Sequence, residues 1–252
     1  MAILTGMAPG VEVLDVGCGT GVVLEYLVRE HGVQGTGVEA DPVLLSRVRE
    51  HFKEAGLGGE VTLQEASPAE LPFRDATFDV AVGEVGLAGS ASPEDAIREL
   101  VRVVRPGGRV VLIQLVWKSA VDESRREILT HHLGVRPLMT VELKRVLLEA
   151  GVQGVHIEDW TEGGPGSRRR RRMPFPDFAE IFTLGERLGI LRKAGKRWGW
   201  RGVRAVFRRE MEVHRVLARG RVLGLSLLVG TKSAALGAEE SGSGGNGSSG
   251  DV

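Results

Sequence analysis

Val13-Leu14-Asp15-Val16-Gly17-Cys18-Gly19-Thr20-Gly21, VLDVGCGTG, stands almost at the head of the chain, and its reading decides the rest. A short apolar run closed by glycines is a buried strand. Three glycines spaced two apart make a turn in which backbone can approach a ligand. The pattern over residues 22–30 is a helix that Gly32 ends, so free helix N–H groups lie just past the strand and favour negative charge. The dinucleotide fingerprint is G-x-G-x-x-G, but Val22 stands where its third glycine would be. Here the spacing is G-x-G-x-G, led by Asp15. An acid before the glycines repels a phosphate and suits an ammonium. The ligand implied carries an amine near Asp15 and a carboxylate near Thr20 and Gly21.

Outward from this stretch, apolar runs and helical patterns alternate. Strands are expected at residues 11–16, 35–39, 60–64, 78–82, 109–115, 152–159 and 221–230. Helices are expected from Asp41-Pro42, over 93–104 with Ser92 as cap, and over 140–150 up to Gly151. Pro106-Gly107-Gly108 turns the chain into the fifth strand. The alternation implies an α/β fold, a doubly wound and mostly parallel seven-stranded sheet with helices on both faces. In such sheets ligands bind beyond the carboxyl ends of the strands. Glu39, in GVEAD, stands at such an end. Its carboxylate can accept from both hydroxyls of a ribose and excludes a 2′-phosphate by charge. An amino-acid end and a ribose end together describe S-adenosylmethionine.

Composition agrees with an enzyme-sized globular domain: 252 residues, 42% of them hydrophobic. One cysteine excludes an internal disulfide framework and a multi-cysteine metal site within one chain, and fits a reducing cytoplasmic setting. No segment has the roughly 18 uncharged apolar residues of a membrane span, and the first ten residues do not read as a signal peptide. No metal is expected.

The ordered blocks VLDVGCGTG, GVEAD, ELPFRDATFDVAV, ELVRVVRPGGRVVLI and ELKRVLLEAGV resemble the Rossmann-like S-adenosylmethionine-dependent methyltransferases. The branch is that of the ubiquinone and menaquinone biosynthesis C-methyltransferases and many small-molecule methylases. The resemblance covers residues 11–160, with a last strand at 221–231. It implies that Asp15, Gly17, Gly19, Thr20 and Gly21 hold the methionine end. Glu39 would bind the ribose, Ala40 would pack on the adenine, and Gly83 and Glu84 would lie beside the sulfonium and the acceptor. The family usually has an aspartate on the adenine amine where Ser67 stands; Ser67 replaces it only in part, so adenine recognition is expected to be weaker or to lean on backbone groups of Ala66 and Ala69. The family also carries one or two helices before the first strand, where about ten residues stand here, so either an upstream segment, the favoured reading, or another element is expected to supply that cover.

Methyl transfer needs positioning and the exclusion of water more than a dedicated catalytic set. Glu84 is the candidate base or cofactor contact; His131 and His132 are the alternatives as base. Cys18, inside the turn, reads as packing.

Charge is segregated. Residues 168–221 carry 17 Lys+Arg against 5 Asp+Glu, and residues 1–167 carry 15 against 25. The domains expected are therefore 1–160 with 221–234 for the cofactor, a basic helical insertion at 161–220 acting as a lid on the acceptor side, and a Gly/Ser tail at 235–252. Three readings of the insertion stay open: docking on the acidic domain, peripheral contact with an anionic membrane that suits a lipophilic acceptor, and, ranked last, nucleic acid. The function expected is methylation of a small-molecule acceptor. The alternatives are a non-catalytic cofactor-binding or interaction protein and an RNA methyltransferase.

Overall fold

The computed structural model describes residues 6–89, 92–160, 199–200, 204 and 222–234. Its elements run β1 (Glu12–Val16), α1 (Val22–His31), β2 (Gln34–Glu39), α2 (Pro42–Glu54), β3 (Val61–Glu65) and β4 (Phe78–Gly83). A 3₁₀ turn (Val85–Gly89) leads to α3 (Pro93–Val103), β5 (Val104–Trp117), α4 (Glu123–Leu133), β6 (Leu138–Met139), α5 (Thr140–Glu149), β7 (Val152–Asp159) and β8 (Leu223–Lys232). The sheet order is β3-β2-β1-β4-β5-β8-β7, with the short β6 on β5. Strands β3, β2, β1, β4 and β5 are parallel. Around β8 the direction reverses: Ser233 N donates to Gly151 O at one end of β7, and Trp160 N to Leu225 O at the other. The order turns back at β1 and β4, so their carboxyl ends flank the crevice in which such sheets bind ligands.

Two compact units are distinguished, the first comprising Met1–Leu115, Val135–Glu158 and Ser226–Val252, the second Val116–Gly134 and Asp159–Leu225. The first holds the core. Val13, Leu14 and Val16 of β1, Leu24 of α1, Val82 of β4 and Leu100 of α3 have no exposed surface. Burial of each such side chain is worth about 1.5–3 kcal/mol. Helix starts follow local chemistry. Asp41 Oδ1 accepts from Val43 N and Leu44 N at 2.8 and 3.4 Å, with Pro42 next to it. Ser92 Oγ accepts from Asp95 N.

In the second unit, Lys118 Nζ pairs with Asp159 Oδ2 at 2.5 Å and the Arg126 guanidinium lies 5.7 Å from the Trp117 ring centre.

Three details differ from the sequence expectation. Helix α4 and strand β6 were not expected: the described side chains of α4 bury one leucine, Leu129, and two residues are too few for β6 to show a period. The fifth strand begins directly at Val104, and Pro106-Gly107-Gly108 is a bulge within it rather than a turn before it. The register places Phe78 opposite Val104 and Val80 opposite Arg109, so β5 carries the excess residues. Gly108 permits this, because a Cβ there would meet the Asp79 carbonyl at 2.7 Å. The insertion at 161–220 and the tail at 235–252 lie, but for Gly199, Trp200 and Arg204, outside the described residues. Among the described residues no helix is long and apolar enough to cross a membrane.

Candidate functional site

The glycine turn is held open by its backbone. Gly17, Gly19 and Gly21 have φ of 72°, 52° and 76°, the left-handed region that only glycine enters without strain. Gly17 N and Cys18 N both donate to Val38 O of β2, at 2.9 and 3.0 Å, and Gly21 N to Cys18 O at 2.7 Å. At Gly21 a side chain would also collide, since a Cβ would lie 2.7 Å from the Phe52 ring of α2. Gly21 therefore caps α1 without a side-chain hydrogen bond, and the first amides of the helix stay available to an anion.

Three carboxyl groups from three strand ends meet this turn. The register sets Asp15 of β1 beside Gly37 of β2 and Val82 of β4. Asp15 is completely buried, and neither Oδ1 nor Oδ2 has a hydrogen-bond partner among the described residues. Burial raises its carboxyl well above the ordinary range, and the charges of Glu84 and Glu39 raise it further. A buried carboxyl in that condition either keeps its proton or takes a cationic partner.

Glu39 behaves differently. Its Oε2 accepts from Gly19 N at 3.0 Å, and its Oε1 from Ala40 N and Asp41 N at 2.9 and 3.0 Å. The side chain is a brace between the end of β2 and the glycine turn. A carboxylate has about four acceptor positions, so one on Oε2 is left for a hydroxyl. Sequence reasoning gave Glu39 a ligand role and missed this brace.

Glu84 follows β4 directly. Its Oε1 is buried without a partner among the described residues, and burial raises its pKa. Its backbone is fixed by Gln114 of β5. Gln114 Nε2 donates to Gly83 O at 2.8 Å and to Glu84 O at 2.7 Å, and the side chain is buried. Gln114 was also missed, although one amide inside the apolar run VVLIQLV was a signal that could have found it.

The remaining candidates separate. Ala40 is exposed next to the Glu39 brace. Ala66 N donates to Glu39 O at 3.3 Å, and Ser67 Oγ accepts from Ala69 N at 3.3 Å, so the Ser67 hydroxyl closes its own turn. Thr20 is exposed at the mouth of the turn. Cys18 is buried with its Sγ 3.1 Å from the position of a Gly37 Cβ, and burial, ahead of the Asp15 charge, pushes its thiol pKa up. That is packing, not a nucleophile. His131 is an exposed position on α4, in the second unit, and of His132 only its place on α4 is described. Among the described residues no group of His, Cys, Asp and Glu could hold a metal ion.

Residues 14–112 match the family model described as "Methyltransferase domain". Among curated proteins, the O-methyltransferase resE of Aspergillus sclerotiorum is 31% identical over 152 residues, 60% of this chain and 58% of its own length. The ubiquinone/menaquinone biosynthesis C-methyltransferase UbiE of Idiomarina loihiensis is 36% identical over 112 residues, 44% of this chain and 45% of its own. The chain thus spans about half the length of these relatives. Among solved structures, the [4+2]-cyclase SpnF superposes with a TM-score of 0.66 at 28% identity, covering 90% of this chain and 77% of that one. Residues 14–112 thus carry a methyltransferase domain, and in its blocks and its sheet order the chain resembles the Rossmann-like S-adenosylmethionine-dependent methyltransferases, the UbiE C-methyltransferases among them.

Proposed function

We propose that the protein is an enzyme that uses S-adenosylmethionine to methylate a small molecule. The observation that carries this reading is Asp15, a completely buried carboxyl with two unpartnered oxygens below the uncapped start of α1. A zwitterionic amino-acid end satisfies both demands at once: its ammonium goes to Asp15, and its carboxylate to the α1 amides beside Thr20 and Gly21. Glu39 takes a ribose hydroxyl at its remaining acceptor position and repels a 2′-phosphate. Ala40, Ala66 and Ser67 flank the base, with Ser67 supplying no carboxylate to it. When bound, S-adenosylmethionine supplies an electrophilic methyl group together with its leaving thioether.

The chain's own part is orientation and proton handling. Gln114 holds the Gly83–Glu84 backbone, which sets where the Glu84 carboxyl stands. Its raised pKa brings Glu84 nearer the neutral range in which a general base is most effective. Selection of the acceptor is assigned to the basic residues 161–220, on sequence grounds.

Saturating S-adenosylhomocysteine, at a hundredfold its Kd, should stabilise the chain by about 2.7 kcal/mol in a thermal melt, with no shift from NADH. Labelled methyl from S-adenosylmethionine should then appear in a small acceptor from a panel of hydroxylated and prenylated molecules. A shift from NADH alone would sink the reading.

A second reading rests on the likeness to the [4+2]-cyclase, which covers 90% of this chain. The same fold and cofactor site would then serve a ring closure with no methyl loss. Retention of all label in the cofactor, with an acceptor isomerised, would favour it.

A further inference from the structure

Among the described residues, the groups that face Asp15 are Glu84 beyond β4, Glu39 at the end of β2 and the Cys18 thiol in the turn. None of them brings positive charge. Two are acids, and the thiol is held protonated by burial. No hydrogen bond reaches either Asp15 oxygen from the described residues. An isolated carboxylate in such a place is so costly that the group keeps its proton instead. A bound ammonium changes this completely, because it supplies both the charge and the N–H donors that the carboxylate needs.

We propose that ligand binding at this site is a cation-for-proton exchange: Asp15 gives up one proton as the ligand's ammonium takes its place. The proposal rests on the reading of the site given above and adds to it a specificity rule. The balance is simple. The free protein holds Asp15 as COOH, the ligand arrives as R–NH3+, and the complex holds COO⁻ against R–NH3+ while one proton passes to the buffer. A ligand with the same nucleoside and thioether but no ammonium cannot drive the exchange. It leaves Asp15 protonated and gains nothing from it. The site therefore tells amino-acid-bearing nucleosides from bare ones through proton count, and its affinity for the former rises with pH.

The test is calorimetric, on the full chain. S-adenosylhomocysteine is titrated at about pH 6.5 in buffers of low and high ionisation enthalpy, well below the ordinary range of an α-ammonium near 7.7. The dependence of the measured heat on the buffer gives the protons released. Release approaching one per ligand is expected, with affinity rising up to tenfold per pH unit on the acid side. 5′-Methylthioadenosine, which lacks the amino-acid end, should bind with no release and no pH dependence. Asp15→Asn should bind S-adenosylhomocysteine more weakly, with no release. Binding of S-adenosylhomocysteine without proton release overturns the exchange and leaves the cofactor reading standing. Equal release with 5′-methylthioadenosine, or release that persists in Asp15→Asn, overturns it as well. No binding of S-adenosylhomocysteine at any pH removes both. Should Asp15→Asn fail to fold, the comparison of the two nucleosides on the wild-type chain decides alone.

Discussion

Two charged regions of the first unit follow opposite rules. Beside α3, every donor of the Arg102 guanidinium is used. Nε and one terminal nitrogen hold Glu99 at 2.7 and 2.8 Å, the other terminal nitrogen holds Asp75 at 2.7 Å, and the carbonyls of Leu71 and Phe73 accept at 3.1 and 2.8 Å. Glu99 in turn accepts from Leu71 N at 2.9 Å. At the ends of β1 and β4, by contrast, Asp15 and the Glu84 Oε1 are buried with no partner among the described residues. A satisfied network stabilises the chain and leaves nothing for a ligand. An unsatisfied one weakens the free fold and reserves its interactions for what binds.

The strongest way to break this contrast is at the turn that keeps the second region open. Gly21→Ala meets the Phe52 ring at 2.7 Å and forces alanine to a φ of 76°. Left-handed strain of about 1–2 kcal/mol and overpacking of about 1–3 kcal/mol add in the same direction. The expected loss is about 2–5 kcal/mol by denaturant melt, with S-adenosylhomocysteine binding lost as well. A variant that melts like wild type and still binds would show that the turn does not need its glycine.

Next in size is Arg102→Met, which keeps the apolar stem and removes five donors. Two carboxylates and two carbonyls lose their partner, for about 2–3 kcal/mol, or a Tm drop on the order of 4–12 °C. The pH dependence has a definite sign. The Arg102 hydrogen bonds hold the Glu99 carboxyl below its ordinary value, so this part of the stability is present above about pH 4.3 and is lost as pH falls through the folded pKa. The gap between wild type and Arg102→Met should accordingly narrow in acid. A gap that widened there would contradict the network.

Gln114→Met sharpens the comparison, since Gln114 is a satisfied group placed at the edge of the unsatisfied region. The buried Gly83 carbonyl and the part-buried Glu84 carbonyl, which keeps Leu87 N, would each lose a donor, at a cost of about 1–2 kcal/mol. If Gln114 also sets the place of Glu84, methyl transfer in the variant should fall more than S-adenosylhomocysteine affinity does. Equal losses in both would reduce Gln114 to a stabilising residue.

How far these regions could be read from the chain differs in the same way. The glycine turn, Asp15 and the parallel strands are written in local order: a short apolar run, glycines at fixed spacing, an acid before them. Period and composition suffice for that. The Glu39 brace joins residues twenty apart in sequence, the Gln114 bridge joins residues thirty or more apart, and the Arg102 hub spans a similar distance. Such bonds depend on strand register, which no local pattern specifies. Helix α4 escaped for another reason: its stretch ESRREILTHHL holds only three apolar residues, Ile128, Leu129 and Leu133, too few to write the apolar stripe by which a helix is recognised.

The smallest expected effect carries the contrast to its sharpest point, because its sign is unusual. Asp15→Asn keeps the shape and the polarity of the side chain and removes only its ability to ionise. The folded pKa of Asp15 is raised by burial and by Glu84 and Glu39. A group raised in this way contributes its stability below the unfolded value of about 3.9, and that contribution is lost as pH rises through the folded pKa. At neutral pH the free wild-type chain thus bears a cost that the asparagine variant does not. The variant should melt a few degrees higher, on the order of 2–4 °C per kcal/mol recovered. The advantage should vanish near pH 4 and grow above it. Added S-adenosylhomocysteine should reverse the ranking, since only the carboxylate can meet the ammonium. An asparagine variant less stable than wild type at neutral pH, with no ligand present, would mean that Asp15 is already satisfied in the free chain.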